Sequence, residues 1–151
     1  MSNRSTYKEL EQRLDDKVMS EAVRLSIHGL AFADLQGKLI YVNDSCVKMW
    51  GYNNANEMLG RPLPEFWEGD GIFTTLKELM AKGVASGKGI GKRKDGSLFV
   101  AVFSTNIIRD GKGNPSYMFG SFFDITKREE MQDALKEAND IINRSPAVVS
   151  L

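Results

Sequence analysis

The chain has 151 residues, 42% of them hydrophobic, with 20 Lys+Arg against 20 Asp+Glu, one His and one Cys. Zero net charge leaves no bulk field to attract nucleic acid or an anionic membrane, so neither is expected as a partner. The single Cys46 excludes an internal disulfide and a cysteine-rich zinc site and fits a reducing compartment; with no apolar run near the ~18–20 residues of a membrane span and a polar N-terminus, a cytoplasmic location is expected.

Residues 5–26 carry Tyr7, Leu10, Leu14, Val18, Ala22 and Leu25 at three- and four-residue steps, which predicts a helix ending near Gly29. The runs 30–33 and 39–42 flank Asp34-Leu35-Gln36-Gly37 and read as a hairpin. Asn43 or Asp44 then caps a short helix with Cys46, Val47, Met49 and Trp50, closed by Gly51. A second helical turn spans about 54–59, and Pro62 and Pro64 make 61–70 irregular. Residues 71–82 predict a longer helix with Phe73, Leu76, Leu79 and Met80 on one face.

The period changes to strand at Ile90. Gly87-Lys88-Gly89-Ile90-Gly91-Lys92 lacks the ending of a phosphate loop and reads as a flexible entry to the sheet. Asp95-Gly96 makes a tight turn, Leu98 to Ile108 a long strand, 110–115 a reversal, and Tyr117 to Phe123 a last strand. Thr126 and Glu129 have the spacing of a capping box. The helix that follows places Met131, Leu135, Ala138 and Ile142 in a coiled-coil seam, too short to dimerise strongly alone. The expected fold class is α+β: a five-stranded antiparallel sheet with helices over one face, between N-terminal and C-terminal helices.

Residues 21–35 align without gaps to 137–151, with Glu21/Glu137, Ala22/Ala138, Ala31/Ala147 and Leu35/Leu151 identical. The offset of 116 residues is a one-domain period, so a second, truncated copy is expected to begin at about residue 137. Chance similarity of two helix-to-strand joints is the alternative. The expected division is 1–21 as N-terminal helix, 22–126 as the domain, 127–143 as linker helix and 144–151 as the start of that copy.

Between about 22 and 128 the chain resembles a PAS (sensory box) domain. The motifs are Asp34-Leu35-Gln36-Gly37-Lys38-Leu39-Ile40-Tyr41-Val42-Asn43, Trp50-Gly51-Tyr52, Glu57-Met58-Leu59-Gly60-Arg61, Arg93-Lys94-Asp95-Gly96-Ser97 and Asp124-Ile125-Thr126-Lys127-Arg128, in this order. The resemblance implies a sensory module of a multi-domain signalling protein, often a two-component histidine kinase, and tandem arrays. It does not carry over the photoactive flavin subtype: Arg61-Pro62-Leu63-Pro64 stands where the reactive cysteine motif belongs, and Cys46 comes too early. It does not carry over haem, since 71–82 holds no histidine. A non-covalent flavin walled by Trp50, Phe66 and Trp67, or a small apolar ligand, stays open.

By comparison with the family, Phe99, Ala101, Phe103 and Thr105 face the helices, as do Met118, Gly120 and Phe122, and Ala31 and Ala33. Met49, Trp50, Phe66, Trp67, Leu76 and Met80 complete the candidate cavity. The alternative is a core filled by Phe and Met. Asp124 is expected to pair with Lys127 or Arg128 and, with Thr126, to anchor the exit helix as a relay. The functional expectation is a sensor that binds a small ligand or partner and signals through that helix to an output domain in the same polypeptide. It is expected to be a homodimer, through flanking helices or sheet. The alternative is a ligand-free dimerisation module. No catalytic or metal set falls on the inward faces, so an enzyme ranks last.

Overall fold

The computed structural model describes residues 26–144. The N-terminal helix expected over 1–21 and the truncated copy after Arg144 lie outside the described residues. The elements are β1 Gly29–Ala33, β2 Leu39–Val42, α1 Asp44–Met49, two 3-10 turns at Ala55–Glu57 and Leu63–Phe66, α2 Gly71–Lys82, β3 Val84–Lys92, β4 Leu98–Arg109, β5 Pro115–Asp124 and α3 Thr126–Arg144.

All five strands form one antiparallel sheet in the order β2-β1-β5-β4-β3. The three C-terminal strands make a meander, and β5 then pairs with β1, placing Ala31 beside Gly120. This non-local pairing brings the inward residues of β1 and β5 into one row.

Asn43 joins α1 to the sheet. Its Oδ1 accepts from the backbone N–H of Leu30 (2.9 Å) and of Cys46 (3.0 Å), and its Nδ2 donates to the His28 carbonyl (3.0 Å). It is therefore the α1 cap, and its burial costs little because its polar groups are satisfied. The long helix ends at Gly83, whose φ of 81° is the left-handed conformation that lets its N–H reach the Leu79 carbonyl at 2.8 Å.

Strand β3 begins at Val84, six residues before the expected start at Ile90, and the glycine-rich segment is strand rather than flexible entry. Aromatic rings take the place of its missing side chains. A Cβ on Gly91 would lie 2.4 Å from the Phe99 ring, and one on Gly89 would lie 3.0 Å from Trp67. The glycines lower local strand propensity but let the rings lie against the backbone.

The core has two parts. One gathers Ala31, Leu39, Val42, Cys46, Val47, Trp50, Met58, Phe66, Phe99, Ala101 and Phe122 around the Trp50 indole, whose Nε1 donates to the Phe66 carbonyl at 2.9 Å. The other is smaller: Ala33, Leu79, Ala85 and Met118. On the outer face of the sheet Phe32 packs against Phe119 with ring centroids 4.9 Å apart, while Val102, Ile108, Tyr117 and Phe123 are exposed.

Candidate functional site

Between the two core clusters lies a cavity of about 250 Å³. Ala31, Ala33, Phe103, Thr105, Met118, Gly120 and Phe122 from the sheet form its floor, and Ile72, Thr75, Leu76 and Leu79 of α2 roof it. Leu39, Leu63 and Trp67 close one end, and Glu68, Gly71, Lys88, Gly89 and Ile90 border it. Small residues at 31, 33, 89 and 120 leave the space; the aromatic rings around it cannot move in without leaving their own contacts. Trp67 belongs to both sides. Its ring sits 5.5 Å from Trp50 in the core and 6.0 Å from Phe103 on the cavity floor.

Of the candidate residues, Ala31, Ala33, Trp67, Leu76, Phe103, Thr105, Met118 and Phe122 line this space. Trp50, Phe66, Phe99 and Ala101 are instead buried in the larger cluster, with Met49 packed against it. Met80 is 52% exposed and Phe73 55% exposed; the inward face of α2 runs through Ile72, Thr75, Leu76 and Leu79. Of the expected face, Leu76 and Leu79 point inward, whereas Phe73 and Met80 turn to solvent. Leu39, Leu63, Thr75 and the β3 border carry no sequence signal for a site, since chain crossing brings them together.

The polar inventory is short. The Thr105 hydroxyl donates to the Ala85 carbonyl at 2.8 Å. The Thr75 hydroxyl makes no hydrogen bond among the described residues. Lys88, Ile90 and Phe119 border the cavity although strand alternation turns their side chains outward, so their backbone forms the wall. The Lys88 ammonium reaches Glu129 in the first turn of α3 at 2.7 Å.

The start of α3 is anchored differently from the capping box expected. The Thr126 hydroxyl accepts from the Val100 N–H at 2.8 Å, and Glu129 is taken by Lys88. Asp124 supplies the cap: its Oδ1 accepts from the Thr126 N–H at 2.9 Å. Its Oδ2 meets Arg93 at 3.1 Å, whereas Lys127 and Arg128 are exposed. Arg93 also donates to the Met49 carbonyl and lies 4.5 Å over the Phe99 ring. One guanidinium thus links the β3–β4 turn, α1 and the exit helix.

Cys46 is buried on α1 and does not line the cavity; burial alone pushes its thiol up to about 12. Such a thiol is inert at neutral pH. Among the described residues no group of three His, Cys, Asp or Glu is placed to hold a metal, and no helix is long and apolar enough to cross a membrane.

The family model for the PAS domain matches residues 27–127. No curated protein matches the chain. Solved structures do. An RNA-binding light-oxygen-voltage receptor is similar with a TM-score of 0.71 and 23% identity over 83% of this chain and 37% of that one. The chain therefore spans little more than a third of that receptor's length. A PAS domain from Colwellia psychrerythraea is similar at 0.68 and 22% identity over 74% of this chain and 97% of its own. A PAS domain from a two-component sensor histidine kinase is similar at 0.64 and 16% identity over 75% and 98%. These identities carry the fold, and the family match carries membership: the chain belongs to the PAS domain family, with the five-stranded antiparallel sheet and exit helix of that fold.

Proposed function

We propose that this PAS domain is a sensor whose cavity takes a small ligand and whose exit helix passes occupancy to an output domain in the same polypeptide, a histidine kinase being the expected output. The observation that carries the reading is the double role of Lys88. Its backbone borders the cavity and its side chain holds Glu129 on α3. Strand β3 is the edge strand of the sheet, its outer edge bridged to the 67–68 segment at Ile90 and Gly91, and three of its nine residues are glycine. It is the wall that yields most easily when the cavity fills. A small displacement of β3 then reaches α3 directly, biasing the helix between two positions.

The mainly apolar lining suits the binding of a small molecule. A cytoplasmic homodimer is the working assembly, with the outer sheet face and the α3 seam as the two surfaces to test. Mass and absorbance of the purified protein test the ligand reading: a retained small molecule, or one that raises the melting temperature on addition, supports it.

Two other readings have specific support. The exposed Val102, Ile108, Tyr117 and Phe123 favour a ligand-free dimerisation module; a dimer that binds none of a broad ligand panel would select it. Similarity to a light-oxygen-voltage domain whose mechanism a flavin analogue addresses raises a non-covalent flavin. The lining fits the apolar faces of a flavin ring, but 250 Å³ is short of the roughly 300–1,000 Å³ of ordinary ligand pockets, so α2 would have to move outward. Yellow colour in the purified protein would select it.

A further inference from the structure

We propose that the cavity is selective for an uncharged, planar, mainly apolar molecule of roughly ten non-hydrogen atoms with one hydrogen-bonding group for Thr75. This rests on the sensor reading and adds the chemistry of the ligand. Size comes first. A dry apolar cavity of about 150 Å³ accommodates benzene, so 250 Å³ suits a molecule between one ring and a fused pair.

Charge is excluded next. The cation nearest the cavity, Lys88, is paired with Glu129 on the far side of β3. The carboxylate at the border is Glu68, which is exposed and repels an entering anion. A carboxylate ligand would find no side-chain cation inside, and the uncapped first turn of α2 lies at the border beside Glu68, while an amine would find only hydroxyls inside.

Polarity is then fixed by two threonines. Thr105 has spent its proton on the Ala85 carbonyl, while the Thr75 hydroxyl is uncommitted on the cavity roof. Shape follows from the rings of Trp67, Phe103 and Phe122, which lie against glycine backbone and leave flat walls. The expected ligand is an indole- or phenol-like molecule.

Calorimetric titration of the 151-residue chain with benzene, indole, octanoate, octylamine and flavin mononucleotide tests this. Indole is expected to bind more tightly than benzene, and both to raise the melting temperature. Thr75→Val is expected to weaken indole about three- to tenfold, the loss of one neutral hydrogen bond, and to leave benzene unchanged. Thr75→Ser is expected to restore indole binding. Retained benzene binding shows that the valine variant is folded; if it is not, Thr75→Ala replaces it. Tighter binding of octanoate, octylamine or flavin mononucleotide than of indole would overturn the ligand class and leave the sensor reading standing. Equal indole affinity in wild type and Thr75→Val would overturn the role of Thr75. Absence of binding by every probe would overturn both the ligand class and the sensor reading.

Discussion

Lys88 and Glu129 stand 41 residues apart in sequence and 2.7 Å apart in space, joining the strand that walls the cavity to the helix that leaves the domain. The pair is partly exposed, with 63% and 33% of the two side chains accessible, so it contributes about 0–1 kcal/mol. An interaction that weak holds the helix at rest and gives way under a modest push. Lys88→Glu is expected to lower stability by under ~1 kcal/mol yet to raise amide exchange in residues 126–130 severalfold. The double variant Lys88→Glu/Glu129→Lys is expected to return exchange to the wild-type rate. Failure of the reversed pair to rescue would remove the clasp from the account.

Asp124 does two separable things, and two substitutions divide them. Asp124→Asn keeps a cap oxygen for the Thr126 N–H and loses the ion pair with Arg93, at a cost of about 0–1 kcal/mol. Asp124→Ala loses the cap as well as the ion pair, at a cost of about 1–2 kcal/mol. Urea denaturation of the two variants checks the order. Equal destabilisation would mean that the cap carries no energy.

The glycines of β3 give a sharp contrast. Gly91→Ala would push a methyl group to 2.4 Å from Phe99, a ring already wedged between Trp50 and Arg93. Relief requires an off-rotamer ring, costing about 1–3 kcal/mol. At Gly87 the nearest atom, on Phe103, is 3.5 Å away, which is ordinary contact. Gly87→Ala is expected to be neutral or stabilising by up to ~1 kcal/mol through reduced chain entropy. Thermal melts of both variants decide it.

Cys46 makes a pH-dependent contribution whose sign is fixed by burial. The folded thiol is held up at about 12 against an ordinary 9.0, so the unfolded chain loses its proton first as pH rises. Stability from this group is intact below pH 9 and declines as pH climbs from about 9 toward about 12. Replacing Cys46 with Ala is expected to flatten that part of the stability profile, after correction for the lost packing. At pH 8 the wild-type thiol is expected to react with a disulfide reagent only through unfolding, far more slowly than in denaturant.

What sequence could and could not reveal follows the range of the forces involved. Alternation along β4 places Phe99, Ala101, Phe103 and Thr105 inward, because that rule is local and has period two. It cannot say that Phe99 and Ala101 fall in the Trp50 cluster while Phe103 and Thr105 fall at the cavity; that depends on where α2 crosses the sheet. Strand β3 is hidden by Gly87, Gly89 and Gly91, whose strand conformation is supported by rings from distant segments. The capping box at Thr126 and Glu129 has the right spacing, but both side chains find longer-range partners in Val100 and Lys88. The same holds for Asp124: Lys127 and Arg128 are near in sequence, yet Arg93, 31 residues away, is delivered by the β3–β4 turn.

Amide exchange across the exit helix, with and without saturating indole, tests the central claim most directly. The expected result is a ligand-dependent change at residues 126–130 in wild type that is blunted in Lys88→Glu. Ligand effects confined to the cavity lining, with the exit helix unchanged, would contradict the coupling of cavity to helix.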